Sequence, residues 1–81
     1  MKKHVYKIEL NTLTDVKNFV SLIATSNLSS PELTDGDKYT INASSIMGVI
    51  YSLEWNNLFL VTTEDAYSLL KNYIVEATTR D

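Results

Sequence analysis

The chain has 81 residues, a formal net charge of -3, no cysteine and a single arginine, Arg80. A chain of this length buries about 60% of its unfolded surface, so we expect one domain over residues 1–81 and no enzyme with a deep cleft. The lack of cysteine excludes disulfides and thiol chemistry, and the acidic balance argues against nucleic-acid binding. No apolar run approaches the roughly 20 residues of a membrane span, so we expect a cytoplasmic protein with no membrane partner. We also expect no metal and no cofactor.

The first two predicted elements are a strand and a helix. Alternation of apolar and polar residues from His4 to Leu10 predicts a half-buried strand. Apolar residues spaced by three and four then predict an amphipathic helix of about 12–14 residues: Leu13, Val16, Phe19, Val20 and Ile23. Thr12 and Asp15 have the spacing of a capping box, with Asp in place of the usual Glu, so Thr12 is predicted to cap this helix.

The middle of the chain is predicted to form a hairpin. Residues 32–34 form a short predicted strand, Asp35 and Gly36 are typical of a tight turn, and residues 39–41 are β-rich. Pro31 indicates an edge position or an irregular start for the strand before the turn. The acidic residues of this region favour a solvated turn over a calcium loop, because the ligand spacing of such a loop is absent.

The last third is predicted to contain a short helix, a strand and a final helix. Helical spacing returns after Ser45 for two to three turns, and Gly48 there would permit close backbone packing. The apolar run at 58–63 predicts a central strand, and Thr62 or Thr63 is predicted to cap the last helix. The stripe of that helix would comprise Ala66, Leu69, Leu70, Tyr73, Ile74 and Ala77, with a frayed tail at 78–81.

The order β-α-β-β-α-β-α predicts an α+β open-faced sandwich, with a ferredoxin-like domain as the rival. The stretch Asn42-Ala-Ser-Ser-Ile-Met-Gly-Val-Ile-Tyr-Ser-Leu53 resembles the segment around the regulatory serine of HPr, the phosphocarrier of the bacterial sugar phosphotransferase system. The resemblance is dense over this stretch, and it extends to the whole chain in length and element order. It implies a four-stranded antiparallel sheet with three helices on one face.

The resemblance also implies roles for residues of the short helix. Ser45 falls at the family's regulatory serine, with Ser44 in place of the usual lysine before it. Ile46, Met47 and Ile50 fall on the apolar surface that family members use to dock partners. Ser45 is at the same time a plain helix cap on physical grounds, and the three apolar residues fit either a core or an interface.

The family's catalytic signature is missing. With the first helix as the anchor, Thr12 falls where the carrier histidine should be, Thr14 at the arginine and Asp15 at the proline. Phosphotransfer from an enzyme phosphohistidine needs an imidazole nitrogen as nucleophile, and Asp15 would repel a dianionic phosphoryl group. We therefore predict no catalytic residue. The chain is similar in this respect to the catabolite-repression paralogues of HPr, which lack the histidine and keep the serine.

Three hypotheses about function follow. The first is a regulatory, protein-binding HPr-like module whose partners are phosphotransferase-system enzymes, a serine kinase/phosphorylase or a transcriptional regulator. The second is a non-standard phosphocarrier that uses His4, the single histidine, although a partly exposed strand residue explains His4 better. The third is a purely structural or oligomeric interaction domain, and the sequence leaves the oligomeric state open.

Overall fold

The structure, a computed structural model, describes residues 2–80 and has an α+β fold with a five-stranded antiparallel sheet and three helices. The strands are β1 (Lys3–Ile8), β2 (Glu32–Thr34), β3 (Thr40–Asn42), β4 (Phe59–Thr62) and β5 (Ile74–Arg80). The helices are α1 (Leu13–Thr25), α2 (Ile46–Ser52) and α3 (Tyr67–Leu70). The strand order across the sheet is β3-β2-β4-β1-β5. α+β is the predicted class, but the sheet has five strands and not the four predicted.

One face of the sheet carries the core. Tyr6 lies opposite Leu60, and Leu60 lies opposite Leu33, so these side chains share a face. They are buried in one cluster with residues of all three helices, including Phe19, Val49 and Leu70. The helices therefore cover one face, while the other face carries half-buried residues such as Val5 and Val61.

The sequence-based description of α1 is confirmed. Its buried residues are Val16, Phe19, Val20 and Ile23, at the predicted spacing. Thr12 caps the helix, and its Oγ1 accepts a hydrogen bond from the Asp15 amide at 3.0 Å. Because three- and four-residue spacing places these apolar side chains on one stripe, the stripe packs on the sheet.

The predicted hairpin is also present, with β2 at residues 32–34 and β3 shifted to Thr40–Asn42. The turn between the two strands requires Gly36, because its φ is +83°. Pro31 precedes β2, which is an interior strand, so the irregular start is the correct alternative and the edge position is wrong. Ser30, with a φ of +49°, provides that irregular start.

The predicted length and cap of the last helix and the predicted frayed tail are wrong. The last helix spans only Tyr67–Leu70, and Ala66, not Thr62 or Thr63, stands at its cap position with no side-chain hydrogen bond. Ile74–Arg80 is a strand that pairs with β1, so residues 78–80 are ordered in the sheet and not frayed. Residue 81 of the predicted tail lies outside the described residues.

The last residues form a strand and not a helix because β1 would otherwise have an unpaired edge. Ile74 to Arg80 is rich in β-branched residues, and pairing with β1 satisfies backbone groups that would otherwise face solvent. A register shift leaves Val75 without an opposite residue on β1. This irregularity interrupts the alternation expected of a strand, and the apolar spacing at 66–77 then resembles that of a helix.

Candidate protein-interaction surface

The N-terminus of α1 is organised by side-chain capping. The Asp15 carboxylate accepts a hydrogen bond from the Asn11 amide at 3.0 Å, while the Asp15 amide donates to Thr12. Thr12, Thr14 and Asp15 thus stand at the start of α1. The side chains of this helix start offer hydroxyl and carboxylate groups but no imidazole, so the histidine nucleophile of a phosphocarrier is missing here.

His4 lies at the opposite end of β1 from this helix start. Its ring is half-buried and stacks on Tyr6, with centroids 6.1 Å apart. The prediction of a partly exposed strand residue is confirmed. The structure therefore does not bring His4 together with Thr12 and Thr14.

Ser45 is the N-cap of α2 and remains exposed. Its Oγ accepts a hydrogen bond from the Gly48 amide at 3.3 Å. The preceding Ser44 is fixed separately, because its amide and hydroxyl both donate to Asn42 Oδ1, at 2.8 and 2.7 Å. The capping role predicted for Ser45 is confirmed, and the residue is exposed.

Gly48 allows α2 to lie close to β3. A Cβ atom at this position would stand 3.1 Å from Ile41 Cδ1 and 3.4 Å from Ser45 Oγ. The predicted close packing at Gly48 is therefore present. α2 therefore packs on the rest of the fold through Val49 and Ser52, while its other residues are exposed or, at Gly48, half-buried.

The outward side of α2 is apolar. We call it the α2 patch and define it by five exposed side chains: Ile46, Met47, Ile50, Tyr51 and Leu53. Met47 is 76% exposed and Tyr51 is 54% exposed. Of the two open interpretations of Ile46, Met47 and Ile50, exposure on a surface is correct and burial in the core is wrong.

Tyr51 and Leu53 extend the patch beyond the residues named by the sequence. Tyr51 stands four residues after Met47, and Leu53 three residues after Ile50, so helical spacing could have found both. Tyr39 adds an exposed aromatic ring from the turn before β3, and no spacing signal links it to α2.

Trp55 anchors the end of the patch on the core. Its indole stacks on Tyr39 at 5.7 Å and meets Tyr51 edge-on at 6.3 Å. The side chain is partly buried and packs against the core cluster. Its Nε1–H is buried without an acceptor among residues 2–80. A groove of about 360 Å³ runs beside it, lined in part by Leu53, Leu58 and Val75.

The acidic turn after β2 is stabilised by the side chain of Asp35. The Asp35 carboxylate accepts hydrogen bonds from the amides of Asp37, Lys38 and Tyr39, at 2.9 to 3.0 Å. These amides, that of Tyr39 foremost, hold the pKa of Asp35 below its usual value. The solvated-turn interpretation therefore holds, because the carboxylate already serves the backbone.

A second polar cluster joins β1 to the start of α3. The Tyr6 hydroxyl accepts from the Ala66 amide at 2.9 Å and donates to Asp65 at 3.1 Å. Burial of the ring raises the pKa of Tyr6. The Tyr67 amide, and then Tyr6, lower the pKa of Asp65. Each polar group has a partner within the fold, so this cluster positions α3.

Comparison of the chain with protein families, with curated proteins and with solved structures finds no match. Within residues 2–80, no helix combines the length and the apolar character that crossing a bilayer requires. Five of the exposed large apolar side chains within residues 2–80 belong to the α2 patch.

Proposed function

We propose that the protein is an HPr-like module that has lost the carrier histidine and acts by docking a partner protein on the α2 patch. The observation that carries the proposal is the exposure of Met47 and its neighbours on a helix of only seven residues. Small domains rarely leave contiguous large apolar side chains exposed unless the surface is used. Methionine suits such a surface because its flexible thioether adapts to different partners.

The loss of the carrier reaction supports a binding role. Thr12 falls where the resemblance to HPr would place the imidazole, and its side-chain oxygen serves as the cap of α1. The Asp15 carboxylate adds negative charge where a phosphoryl group would have to approach. A phosphocarrier function based on His4 receives no comparable support, because that ring lies far along β1 from the helix start.

Ser45 is the proposed regulatory position. A kinase would transfer the γ-phosphoryl group of ATP to Ser45 Oγ, with loss of the hydroxyl proton and release of ADP. The phosphate would bring a charge of about -1.5 to -2 to the border of the patch, next to Ile46 and Met47. We propose that this charge selects between partners, which would be phosphotransferase-system enzymes, the serine kinase/phosphorylase or a transcriptional regulator.

The test combines phosphorylation and binding. The protein is incubated with ATP and a kinase/phosphorylase that modifies HPr, and mass spectrometry follows the mass of the peptide around Ser45. Binding to a catabolite-repression regulator is then measured by the fluorescence of Trp55, the single tryptophan, which borders the patch. We expect phosphate on Ser45 and tighter regulator binding after phosphorylation.

Substitutions locate the binding surface. Met47→Asp should weaken binding about tenfold or more, because a central apolar contact becomes a buried charge. Leu69→Asp is the matched control, since Leu69 is an exposed leucine on α3 outside the patch. Equal binding by both variants, or no phosphate on Ser45 together with no regulator binding, would contradict the proposal.

A further inference from the structure

β5 is the long free edge of the sheet. The order β3-β2-β4-β1-β5 gives it a neighbour on one side only, within residues 2–80. The opposite edge, β3, has three residues, whereas β5 has seven. Ile74–Arg80 contains neither proline nor lysine, and its register irregularity at Val75 lies outside the segment 76–80.

The hydrogen-bond directions of β1 identify the free groups of β5. The Ile8 amide donates to Leu58 on the β4 side, and the Glu9 amide donates to Tyr73 on the β5 side. Since these directions alternate along a strand, Lys3, Val5 and Lys7 direct their backbone groups to β5. Their opposite residues are Arg80, Thr78 and Glu76. The backbone groups of Ala77 and Thr79 therefore point away from the sheet.

Two-fold antiparallel pairing of two β5 strands allows few registers. Side chains opposite each other must share a face, so even-numbered residues must lie opposite even-numbered ones and odd-numbered opposite odd-numbered ones. The two-fold axis must therefore lie midway between the two copies of one residue. An axis at Glu76 would oppose two like carboxylates. An axis at Ala77 would leave Glu76 opposite Thr78 and Arg80 opposite Ile74. An axis at Thr78 places Glu76 of each copy opposite Arg80 of the other.

We propose that β5 pairs with β5 of a second copy of this chain, antiparallel and centred on Thr78. Ala77 of each copy then faces Thr79 of the other, and their outward N–H and C=O groups form the intermolecular hydrogen bonds. Glu76 and Arg80 face each other at the closer, non-hydrogen-bonded positions, where opposite charges attract across strands. The sheets of the two copies become continuous.

The charge repulsion at Arg80 within one copy favours this arrangement. Within the chain, Arg80 lies opposite Lys3 in the β1–β5 register, so two positive charges face each other, whereas Glu76 lies opposite Lys7. Glu76 of the second copy would lie on the other side of Arg80 and offset this repulsion. The same contact occurs twice, because the two-fold axis repeats it.

The dimer should be weak. Five described residues of each strand, 76–80, take part in the pairing. The surface area that such a short pairing buries is smaller than the roughly 1,000 Å² of a stable interface. We therefore expect association to appear between about 10 μM and about 1 mM protein.

The test is sedimentation equilibrium over that concentration range. The wild-type chain should change from monomer to dimer. Ala77→Pro should remain monomeric yet folded, because it removes only an outward N–H. Thr78→Pro is its matched control and should unfold the chain, since that amide faces β1. Circular dichroism reports the fold of both variants.

Charge reversal provides an independent test. Glu76→Arg alone and Arg80→Glu alone should each weaken dimerisation about tenfold, and the double exchange should restore it. Met47→Asp should leave the dimer unchanged. A wild-type monomer up to about 1 mM, a folded Ala77→Pro dimer, failure of the double exchange to restore pairing, or loss of the dimer in Met47→Asp would each overturn the proposal.

Discussion

The hydroxyl of Tyr6 links two parts of the fold that are 60 residues apart in sequence, because it accepts the Ala66 amide hydrogen. Tyr6 is 2% exposed, so water cannot replace this contact. A buried amide without a partner costs more than an ordinary hydrogen bond contributes, since its desolvation is not offset.

Tyr6→Phe should therefore lower the free energy of unfolding by about 1–3 kcal/mol, because it leaves the Ala66 amide without an acceptor. Urea unfolding followed by circular dichroism measures this change. Tyr67→Phe is the control, since the Tyr67 side chain is exposed, and its stability should stay within about 0.5 kcal/mol of the wild type. Equal stability of both variants would show that the Tyr6 contact contributes little.

Asp35 gives the turn between β2 and β3 a pH dependence. Its pKa is lower in the folded chain than the usual 3.8, because three amides stabilise the charged form. Its contribution to stability is thus fully present above pH 3.8 and decreases as the pH falls through the lowered pKa.

The melting temperature should show this directly. Asp35→Asn should melt below the wild type near neutral pH, and the difference should shrink as the pH falls below 3.8. Asp37→Asn is the control, because it removes the same charge from the same turn and leaves the hydrogen bonds to the Asp35 carboxylate in place. A difference for Asp35→Asn that is constant with pH would contradict this account.

At the scale of the elements, α1 depends on its N-cap. Thr12→Ala should lower the free energy of unfolding by about 1 kcal/mol, because the Asp15 amide loses its acceptor. Thr12→Ser keeps the hydroxyl and should be nearly neutral. Thr14→Ala, inside the helix and exposed, should change stability by less than about 0.5 kcal/mol. Thermal unfolding compares the three variants, and an equal loss in Thr12→Ala and Thr14→Ala would argue against the cap.

Hydrogen exchange distinguishes the strand β5 from the predicted helix. In dilute monomer, the amides of Glu76, Thr78 and Arg80 should exchange slowly and those of Ala77 and Thr79 quickly, because only the first set faces β1. A helix would instead protect consecutive amides. NMR exchange rates measured residue by residue provide the comparison, and uniform protection of residues 76–79 would contradict the strand.

The elements that the sequence predicts correctly are those with a local cause. Thr12, Asp15 and the apolar stripe of α1 lie within a few turns of one another, as do Asp35 and Gly36 in the hairpin. β5 has its partner more than 60 residues away, and the irregularity at Val75 interrupts its alternation. The candidate site follows the same rule, because helical spacing marks Met47 and Ile50, whereas Tyr39 reaches the patch only through the fold.

At the scale of the whole molecule, β1 is the strand on which the sheet depends. It pairs with β4 on one side and with β5 on the other. We expect the amides of Val5 and Tyr6 to exchange only through global unfolding, while those of β3 exchange through local opening. Exchange rates as a function of urea test this ranking, and equal rates for β1 and β3 would contradict it.

The position of β1 has a consequence for synthesis on the ribosome. β1 is made early, yet both of its partners, Phe59–Thr62 and Ile74–Arg80, are made much later. Tyr6 therefore stays without its first partner until Leu60 has left the ribosome, and without its second partner until Ala77 has done so. Co-translational formation of this sheet is deferred, and the waiting strand is an unpaired edge that a nascent-chain chaperone can cover.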